Sequence, residues 1–257
     1  MEYSKIKGFN YQPSWGSSGF EIWRNFDSER MGHELSLGKL YFPGMNAIRL
    51  WLSHDAWVRN PKKFEAAFDT ALSIADARSL SVMPVLFNRW HDAALDYGGI
   101  YIDHFLPKVS WVQGKNQPEA FAEAIVGTHA TDSRILAWDL CNEPFAYSCP
   151  PSDIPDIVQA EYAWLERTYG IAKSSGAQAP ITVGIHPGHG LDGIRQIEKI
   201  SDILSIHPYW TCDSPPHDKE AYEKLLDGYV QFADASGKPL IATEGAAGDR
   251  PWESSRR

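Results

Sequence analysis

Short runs of apolar residues alternate along the chain with longer segments in which apolar residues recur every three or four positions. The short runs are too short for helices and are typical of strands buried on both faces of a parallel sheet. They are Gly8–Tyr11, Ala47–Leu52, Val82–Phe87, Ile135–Cys141, Ile181–Ile185, Ile203–Ile206 and Leu240–Thr243.

The longer segments predict amphipathic helices that lie between the strands. Their apolar stripes are Phe64, Phe68, Leu72 and Ala75; Val158, Tyr162, Leu165 and Tyr169; and Tyr222, Leu226, Tyr229 and Ala233. Asn60-Pro61 is a typical N-cap followed by a first helical residue, and Gly127 and Gly237 are expected to end helices.

Strands that alternate with helices predict an α/β fold with a parallel sheet, either an open doubly wound sheet or a closed barrel. An open sheet would favour a glycine-rich phosphate loop, which Gly16–Gly19 matches poorly. A barrel predicts polar residues just past the C-terminal ends of many strands. Such residues are present: Trp15, Arg49, Asn88, His91, Asn142, Glu143, His186, His207, Tyr209 and Glu244. We therefore predict a TIM-type (β/α) barrel.

Two features depart from a regular barrel. Pro84 lies inside the third strand, where it removes a hydrogen-bond donor, so we expect a bulge or a register shift there. Only seven strands are recognisable, because residues 245–257 carry no strand signal. The sequence predicts a single barrel domain over residues 1–257 that is incomplete at its C-terminal end, with the eighth βα unit missing or truncated.

The composition narrows the function classes. A net charge of −9 argues against a nucleic-acid or membrane partner, since both require basic surfaces. No stretch approaches the roughly 20 apolar residues of a membrane span. Met1–Lys7 has no signal-peptide core, which leaves a cytoplasmic location, or an exported one if a leader was removed. Cys141, Cys149 and Cys212 form no disulfide framework. Cys149 and Cys212 could pair only if the loops that carry them meet, and we expect free thiols.

Two glutamates end predicted strands that lie three apart in the barrel. Glu143 follows Asn142 at the end of the fourth strand, and Glu244 follows Thr243 at the end of the seventh. Hydrolysis of a glycoside requires two carboxyl groups that flank the scissile bond, one as proton donor and the other as nucleophile or base. Their environments must keep one protonated while the other is ionised. The pair therefore indicates a glycoside hydrolase.

This pattern resembles the clan A glycoside hydrolases, the cellulase-like superfamily that includes family 5. The resemblance runs from Gly8-Phe9-Asn10 to Glu244 and includes Arg49, which closes the second strand, and His207-Pro208-Tyr209, which closes the sixth. It implies that Glu143 is the general acid/base and that Glu244 is the nucleophile. Retention of anomeric configuration follows if the two carboxyl groups lie about 5–5.5 Å apart.

The resemblance also implies roles for the residues around the two glutamates. Asn142 would hydrogen-bond the sugar 2-hydroxyl, and His207 would line the site near the acid. Tyr209 would hold Glu244 in place and Arg49 would keep it ionised. Further candidates for substrate contacts are Trp15, Asn88, His91 and the aromatic loop Tyr97–Trp111. Members of this superfamily usually place a Trp on the eighth strand as a sugar platform, and Trp252 is nearest to that place in this sequence.

The leading hypothesis is a retaining hydrolase of β-linked glycosides or polysaccharides, such as β-glucan or mannan, without a cofactor or metal. Its partner would be an oligo- or polysaccharide, with self-association at the open barrel edge as a further expectation. One alternative is a non-catalytic carbohydrate-binding barrel, because the last strand is not recognisable. A second is a metal-dependent barrel hydrolase, because the chain has nine histidines. Asp139 is expected to be a buried partner beneath the site rather than a catalytic residue.

Overall fold

The computed structural model describes residues 3–89, 100, 102–105, 114–147, 149–209 and 219–245. Seven strands form one sheet in chain order, and every adjacent pair is parallel. The strands are β1 (Gly8–Asn10), β2 (Ala47–Trp51), β3 (Ser81–Asn88), β4 (Trp138–Asn142), β5 (Ile181–Ile185), β6 (Leu204–Ile206) and β7 (Leu240–Ala242). The seven predicted strands are thereby confirmed, with small changes at their ends.

Helices connect the strands on the outer side of the sheet. They are α1 (Gly19–Arg24), α2 (Ser28–Tyr41), α3 (His54–Arg59), α4 (Pro61–Asp76), α5 (Ile102–Phe105), α6 (Pro118–Thr128), α7 (Pro155–Ser174), α8 (Gly190–Ile197) and α9 (Lys219–Ser236). Short 3₁₀ turns lie at Tyr3–Lys5, Gly114–Asn116, Pro151–Asp153, Pro187–His189 and Glu198–Ile200. Within the described ranges, no helix combines the length and the apolar character that crossing a membrane requires.

The sheet is curled rather than flat. Arg49 on β2 contacts Glu244 just after β7, although five strand spacings of about 4.8 Å separate these strands along the sheet. The seven strands therefore form a half-barrel of the predicted TIM type. Among the described residues, β1 and β7 are the two edges of this sheet, and all three residues of β1 are exposed.

The irregularity expected at Pro84 lies on one side of the strand only. The pairing of β3 with β2 is unbroken through Pro84, which lies opposite Leu50. On the other side Val82 lies opposite Ile135, whereas Val85 lies opposite Asp139, so the β4 segment contains one extra residue there. Because Pro84 has no N–H to donate, the ladder is interrupted where that donor would have been needed.

Helix signals were confirmed in part. The predicted stripe of α4 is buried, and the side chain of Asn60 caps that helix by accepting the Lys63 N–H at 3.2 Å. Gly237 follows the last residue of α9 with φ of +68°, and α6 ends at Thr128, one residue after Gly127. Helix ends are defined only to within one or two residues, so both glycines lie where helices stop.

The inner face of α7 differs from the predicted stripe. Trp164 and Leu165 are buried together with the polar residues Glu161 and Thr168, whereas Tyr162 is only partly buried. The spacing of apolar residues does not reveal that Glu161 is buried. The prediction therefore placed the buried face of α7 about one residue away from its actual position. Cys141 and Cys149 are free thiols as predicted, and Cys212 lies outside the described residues.

Candidate active site

The predicted chemical residues meet at the C-terminal ends of the parallel strands. Arg49 comes from β2 and Asn142 from the last position of β4, directly before Glu143. His207 follows β6, and Glu244 follows β7 by two residues. In a parallel barrel these ends lie on one face, which is the face that carries active sites in TIM-type enzymes.

Glu143 is buried and held at both its backbone and its side chain. Its N–H donates to the carbonyl of Gly184 at 2.8 Å, which ties it to β5. Its Oε1 lies 2.8 Å from Nδ1 of His207. Its φ of +48° is in the left-handed region, which is uncommon for a residue with a side chain and often marks functional sites. The chain therefore turns sharply at this carboxylate.

His207 connects Glu143 to the last strand. Its Nε2 lies 3.1 Å from the hydroxyl of Thr243, which in turn lies 2.5 Å from the hydroxyl of Ser205. Both ring nitrogens therefore have partners, and the imidazole is fixed in orientation. Thr243 was part of the predicted strand, but the sequence offered no indication that it would contact this ring.

Gly184 makes room for this arrangement. A Cβ at Gly184 would lie 2.7 Å from Nε2 of His207 and 3.2 Å from Nη2 of Arg49. Only glycine allows both buried groups to approach β5 so closely. Sequence reasoning missed this residue, although a glycine inside a strand is a known signal of close approach by another group.

Glu244 is bound by a cation and a phenol. Its Oε1 contacts Nη1 of Arg49, and its Oε2 accepts the hydroxyl of Tyr209 at 2.8 Å. Burial raises the pKa of Glu244, but the charge of Arg49, together with His207, outweighs burial and holds the pKa below its ordinary value. Burial and the Glu244 charge raise the pKa of Tyr209, so its hydroxyl keeps its proton and donates. Glu244 is thus held as a carboxylate.

Arg49 is fixed by a second acid beneath the site. Its Nε and Nη2 donate to Oδ2 of Asp139 at 3.0 and 2.6 Å. The other oxygen of Asp139 accepts the N–H groups of Cys141 and Gly184, both at 3.2 Å. Burial lowers the pKa of Arg49, but the Asp139 and Glu244 charges outweigh this effect and raise it. Asp139 is the buried partner that the sequence led us to expect.

Asn142 is oriented by two neighbours. Its Oδ1 accepts Nη2 of Arg49 at 2.7 Å, and its Nδ2 donates to Oδ1 of Asn88 at 2.9 Å. A carboxamide nitrogen has two hydrogens, so one bond to Asn88 leaves the second able to bind a ligand hydroxyl. The predicted residues Asn88 and Asn142 therefore belong to the same buried network.

The two glutamates are close together. One carboxylate oxygen of Glu143, one of Glu244 and a ring nitrogen of His207 all lie within 4.8 Å of one another. Retaining glycosidases separate their carboxyl groups by about 5–5.5 Å and inverting enzymes by about 6.5–9.5 Å. A metal ion could bridge ligands at such distances, but Arg49 and Tyr209 already occupy both oxygens of Glu244, and the positive charge of Arg49 opposes a cation.

Other predicted residues are not brought into this cluster by the contacts of the described chain. The indole N–H of Trp15 donates to the carbonyl of Ile22 at 2.9 Å, and its ring packs edge-on against Phe26. His186 accepts the N–H of Gly188 at 3.0 Å and so stabilises a local turn. His91, Trp252 and most of the segment 97–111 lie outside the described residues.

Comparisons with known proteins place this geometry in context. No family model matches the sequence. The chain is 27% identical over 257 aligned residues to mannan endo-1,4-beta-mannosidase 8 of Oryza sativa subsp. japonica, covering 78% of this chain and 66% of the relative. It is 23% identical to mannan endo-1,4-beta-mannosidase A of Hypocrea jecorina, covering 93% of this chain and 56% of that protein. The chain therefore spans less than two thirds of the length of these curated relatives.

Solved structures show the same fold. The exo-beta-1,4-mannosidase Op5Man5 from Opitutaceae bacterium strain TAV5 superposes with a TM-score of 0.68 at 20% identity, covering 94% of this chain and 46% of the other. A glycoside hydrolase family 5 mannosidase from Rhizomucor miehei gives 0.60 at 15% identity, covering 98% and 71%. The half-barrel fold is shared with these glycoside hydrolase structures, and the sequence relatives are mannan endo-1,4-beta-mannosidases, so both comparisons support the resemblance to clan A glycoside hydrolases of the family 5 type.

Proposed function

We propose that this chain hydrolyses β-linked glycosides by a retaining double displacement, with Glu143 as general acid/base and Glu244 as nucleophile. The observation that carries the proposal is the short separation of the two carboxylates in unlike surroundings. Inverting enzymes need a carboxyl separation of about 6.5–9.5 Å to admit a water molecule beside the second carboxylate, so carboxylate oxygens within 4.8 Å of one another favour direct attack on the anomeric carbon.

Glu244 suits the nucleophile because it is held ionised. The charge of Arg49 stabilises its carboxylate, and the Tyr209 hydroxyl orients the oxygen that does not face Arg49. In the first step a Glu244 oxygen bonds to the anomeric carbon, and the bond to the leaving oxygen breaks. The product of this step is a glycosyl-enzyme ester.

Glu143 suits the role of general acid because the positive charge of Arg49 is paired with Glu244 and not with Glu143. It transfers its proton to the leaving oxygen in the first step, and as a carboxylate it accepts a proton from water in the second. His207 holds Oε1 of Glu143, and Thr243 holds the other side of that ring. The ring thereby limits the positions that the acid can adopt.

We propose a β-1,4-mannan as the substrate and endo-acting cleavage as the mode. Support comes from the curated relatives, which are named as mannan endo-1,4-beta-mannosidases. Asn142 would bind the sugar 2-hydroxyl through the second Nδ2 hydrogen. Trp15, Asn88 and His91 are proposed as additional substrate contacts, and residues 1–257 as one barrel domain.

The test is release of reducing sugar from mannan by the wild-type chain and by Glu143→Gln and Glu244→Gln. Each variant should lose turnover and keep its thermal unfolding transition, while Glu123→Gln, an exposed control on α6, should behave like wild type. Turnover retained by either site variant would contradict the assignment. Oligosaccharide binding without hydrolysis would support the carbohydrate-binding alternative, and loss of activity with a chelator would support the metal-dependent one.

Restoring activity with azide separates the two roles. Replacing each glutamate with alanine leaves a space that a small anion can enter. With an activated aryl β-glycoside, Glu244→Ala should then form the α-glycosyl azide, because azide attacks the sugar directly. Glu143→Ala should form the β-glycosyl azide, because azide intercepts the glycosyl-enzyme. The opposite pattern would reverse the roles proposed for the two residues.

A further inference from the structure

A buried carboxylate lies behind the general acid and outside the cluster described above. Glu161 projects from the inner face of α7 with no exposed surface, and Arg89, just after β3, is only 3% exposed. Their Oε1 and Nε atoms are 2.7 Å apart. Removing two charges from water is unfavourable, and an apolar pair of similar volume often serves stability equally well. The pair therefore calls for another explanation.

The contacts of Glu161 point to the segment that follows Glu143. Besides Arg89, its Oε1 accepts the backbone N–H of Phe145 at 3.2 Å. Its Oε2 accepts the hydroxyl of Tyr147. Among the described residues, two of the three donors to this carboxylate thus belong to the few residues directly after Glu143.

Arg89 binds the same segment from the other side. Its Nη2 donates to the carbonyl of Ala146 at 3.3 Å, and its own backbone N–H donates to the carbonyl of Asn142 at 2.9 Å. Its guanidinium also lies over the rings of Phe105 and Tyr147, 5.5 and 5.9 Å from their centroids. The pair therefore contacts the chain both before and after the acid.

The segment that is held in this way has an unfavourable backbone. Glu143 and Phe145 have φ of +48° and +63°, both in the left-handed region that residues with a Cβ avoid. Such a conformation persists only where the surroundings over-determine it. The bonds from Phe145 and Tyr147 to Glu161, and from Arg89 to Ala146, supply that constraint.

We propose that Arg89 and Glu161 are a positioning pair, which holds the turn from Asn142 to Tyr147 so that the Glu143 carboxyl reaches the leaving oxygen. The inference rests on the proposed function and adds two residues that contact no substrate. If the pair positions the acid, its removal should lower the rate most for substrates whose leaving group needs a proton. A pair that only stabilises the fold should affect all substrates alike.

The experiment compares two substrates that differ in their leaving group. Release of dinitrophenolate from a dinitrophenyl β-mannoside needs little protonation, whereas release of a sugar from a manno-oligosaccharide needs an acid. The value of kcat/KM reports the first chemical step for both. The variant is Arg89→Met combined with Glu161→Met, which removes both buried charges together and leaves neither unpaired. Tyr147→Phe is a milder variant that removes one donor and keeps the ion pair.

We expect the double variant to lose about 100-fold in kcat/KM on the oligosaccharide, the scale on which a displaced acid lowers the rate. The loss on the dinitrophenyl substrate should stay within about fivefold. Tyr147→Phe should also lose more activity on the oligosaccharide than on the dinitrophenyl substrate, by a smaller factor. It still tests the inference if the double variant does not fold. Lys238→Met is the control. Lys238 forms a partly exposed ion pair with Glu198, donates to the backbone carbonyls of Glu198 and Ser201, and lies before β7, away from the acid.

Equal losses on both substrates, or no loss on either, in a folded variant would overturn the inference and leave the proposed function intact. Wild-type chain that hydrolyses neither substrate would overturn the proposed function and this inference with it. Selective loss in Lys238→Met would also count against the inference, because it would show that an ion pair far from the acid has the same effect.

Discussion

The ionised state of Glu244 depends on Arg49, and removing that charge should shift the pH dependence of the reaction. Arg49→Met alone would leave Asp139 buried without its partner, at a cost of about 3–5 kcal/mol. The better perturbation combines Arg49→Met with Asp139→Asn. An asparagine Oδ1 can still accept the N–H groups of Cys141 and Gly184 that Asp139 binds now.

The size of the effect follows from the geometry. Two unit charges about 4 Å apart interact by about 4 kcal/mol at an effective dielectric constant of about 20. At 1.36 kcal/mol per pKa unit this equals about 3 units. The Glu244 side chain is 11% exposed, and Tyr209 and His207 still favour its ionised form after the change. We therefore expect its pKa to rise by about 2 units.

The sign of the pH effect follows from the role proposed for Glu244. A nucleophile must be ionised, and a higher pKa means that it becomes protonated at a higher pH. The acid limb of the kcat/KM profile for an aryl β-mannoside should therefore move up by about 2 units. Tyr209→Phe removes one hydrogen bond instead of a charge and should move it by about 1 unit.

A matched control makes the result decisive. Arg134→Met combined with Asp132→Asn removes a similar pair, with Nη2 and Oδ2 2.6 Å apart, before β4 at the opposite end of the strand from Glu143. It should leave the profile unchanged. An acid limb that shifts by less than about 0.3 units in the folded Arg49 and Asp139 variant would refute the assignment of Arg49 as the group that keeps Glu244 ionised.

Three further outcomes are expected. Gly184→Ala should lower the free energy of urea unfolding by about 1–3 kcal/mol and lower kcat, because its Cβ would clash with the His207 ring. Gly170→Ala is the control; its Cβ would lie in open space on α7, and it should stabilise the fold slightly. Equal effects of the two substitutions would contradict this prediction. Thr243→Val should lower kcat with little change in KM, because it frees the His207 ring that contacts Glu143, the proposed acid. Burial lowers the pKa of His54 to about 4, so the unfolded chain binds a proton first as pH falls from 6.5 to 4. Stability should fall by up to about 3 kcal/mol in that window, and His54→Gln should lose this part of the pH dependence.

The sequence by itself determined the strand order and most of the residues that meet at the candidate active site. Apolar runs of four to seven residues cannot be buried as helices, and each strand of a parallel barrel delivers its next polar residue to the same face. Looking for polar residues at and just past the end of each run therefore identified Asn142, Glu143 and Glu244, together with His207 and Tyr209, and Arg49 inside the second run. The resemblance to clan A glycoside hydrolases then assigned a role to each of them.

Only the tertiary structure decided how these groups act on one another. The partners of Glu244 come from β2 and from the loop after β6, and no local pattern states that a curled sheet brings them into contact. Glu161 looked like an ordinary polar position on α7, because a buried carboxylate is recognised by its donors and these lie far away in sequence. The reason for a glycine at position 184 is visible only when the position of the His207 ring is known, because a Cβ there would clash with that ring. Hydrophobic periodicity and the ends of strands are local properties of the chain. Ion pairs and close contacts between residues far apart in sequence exist only after those segments have packed together.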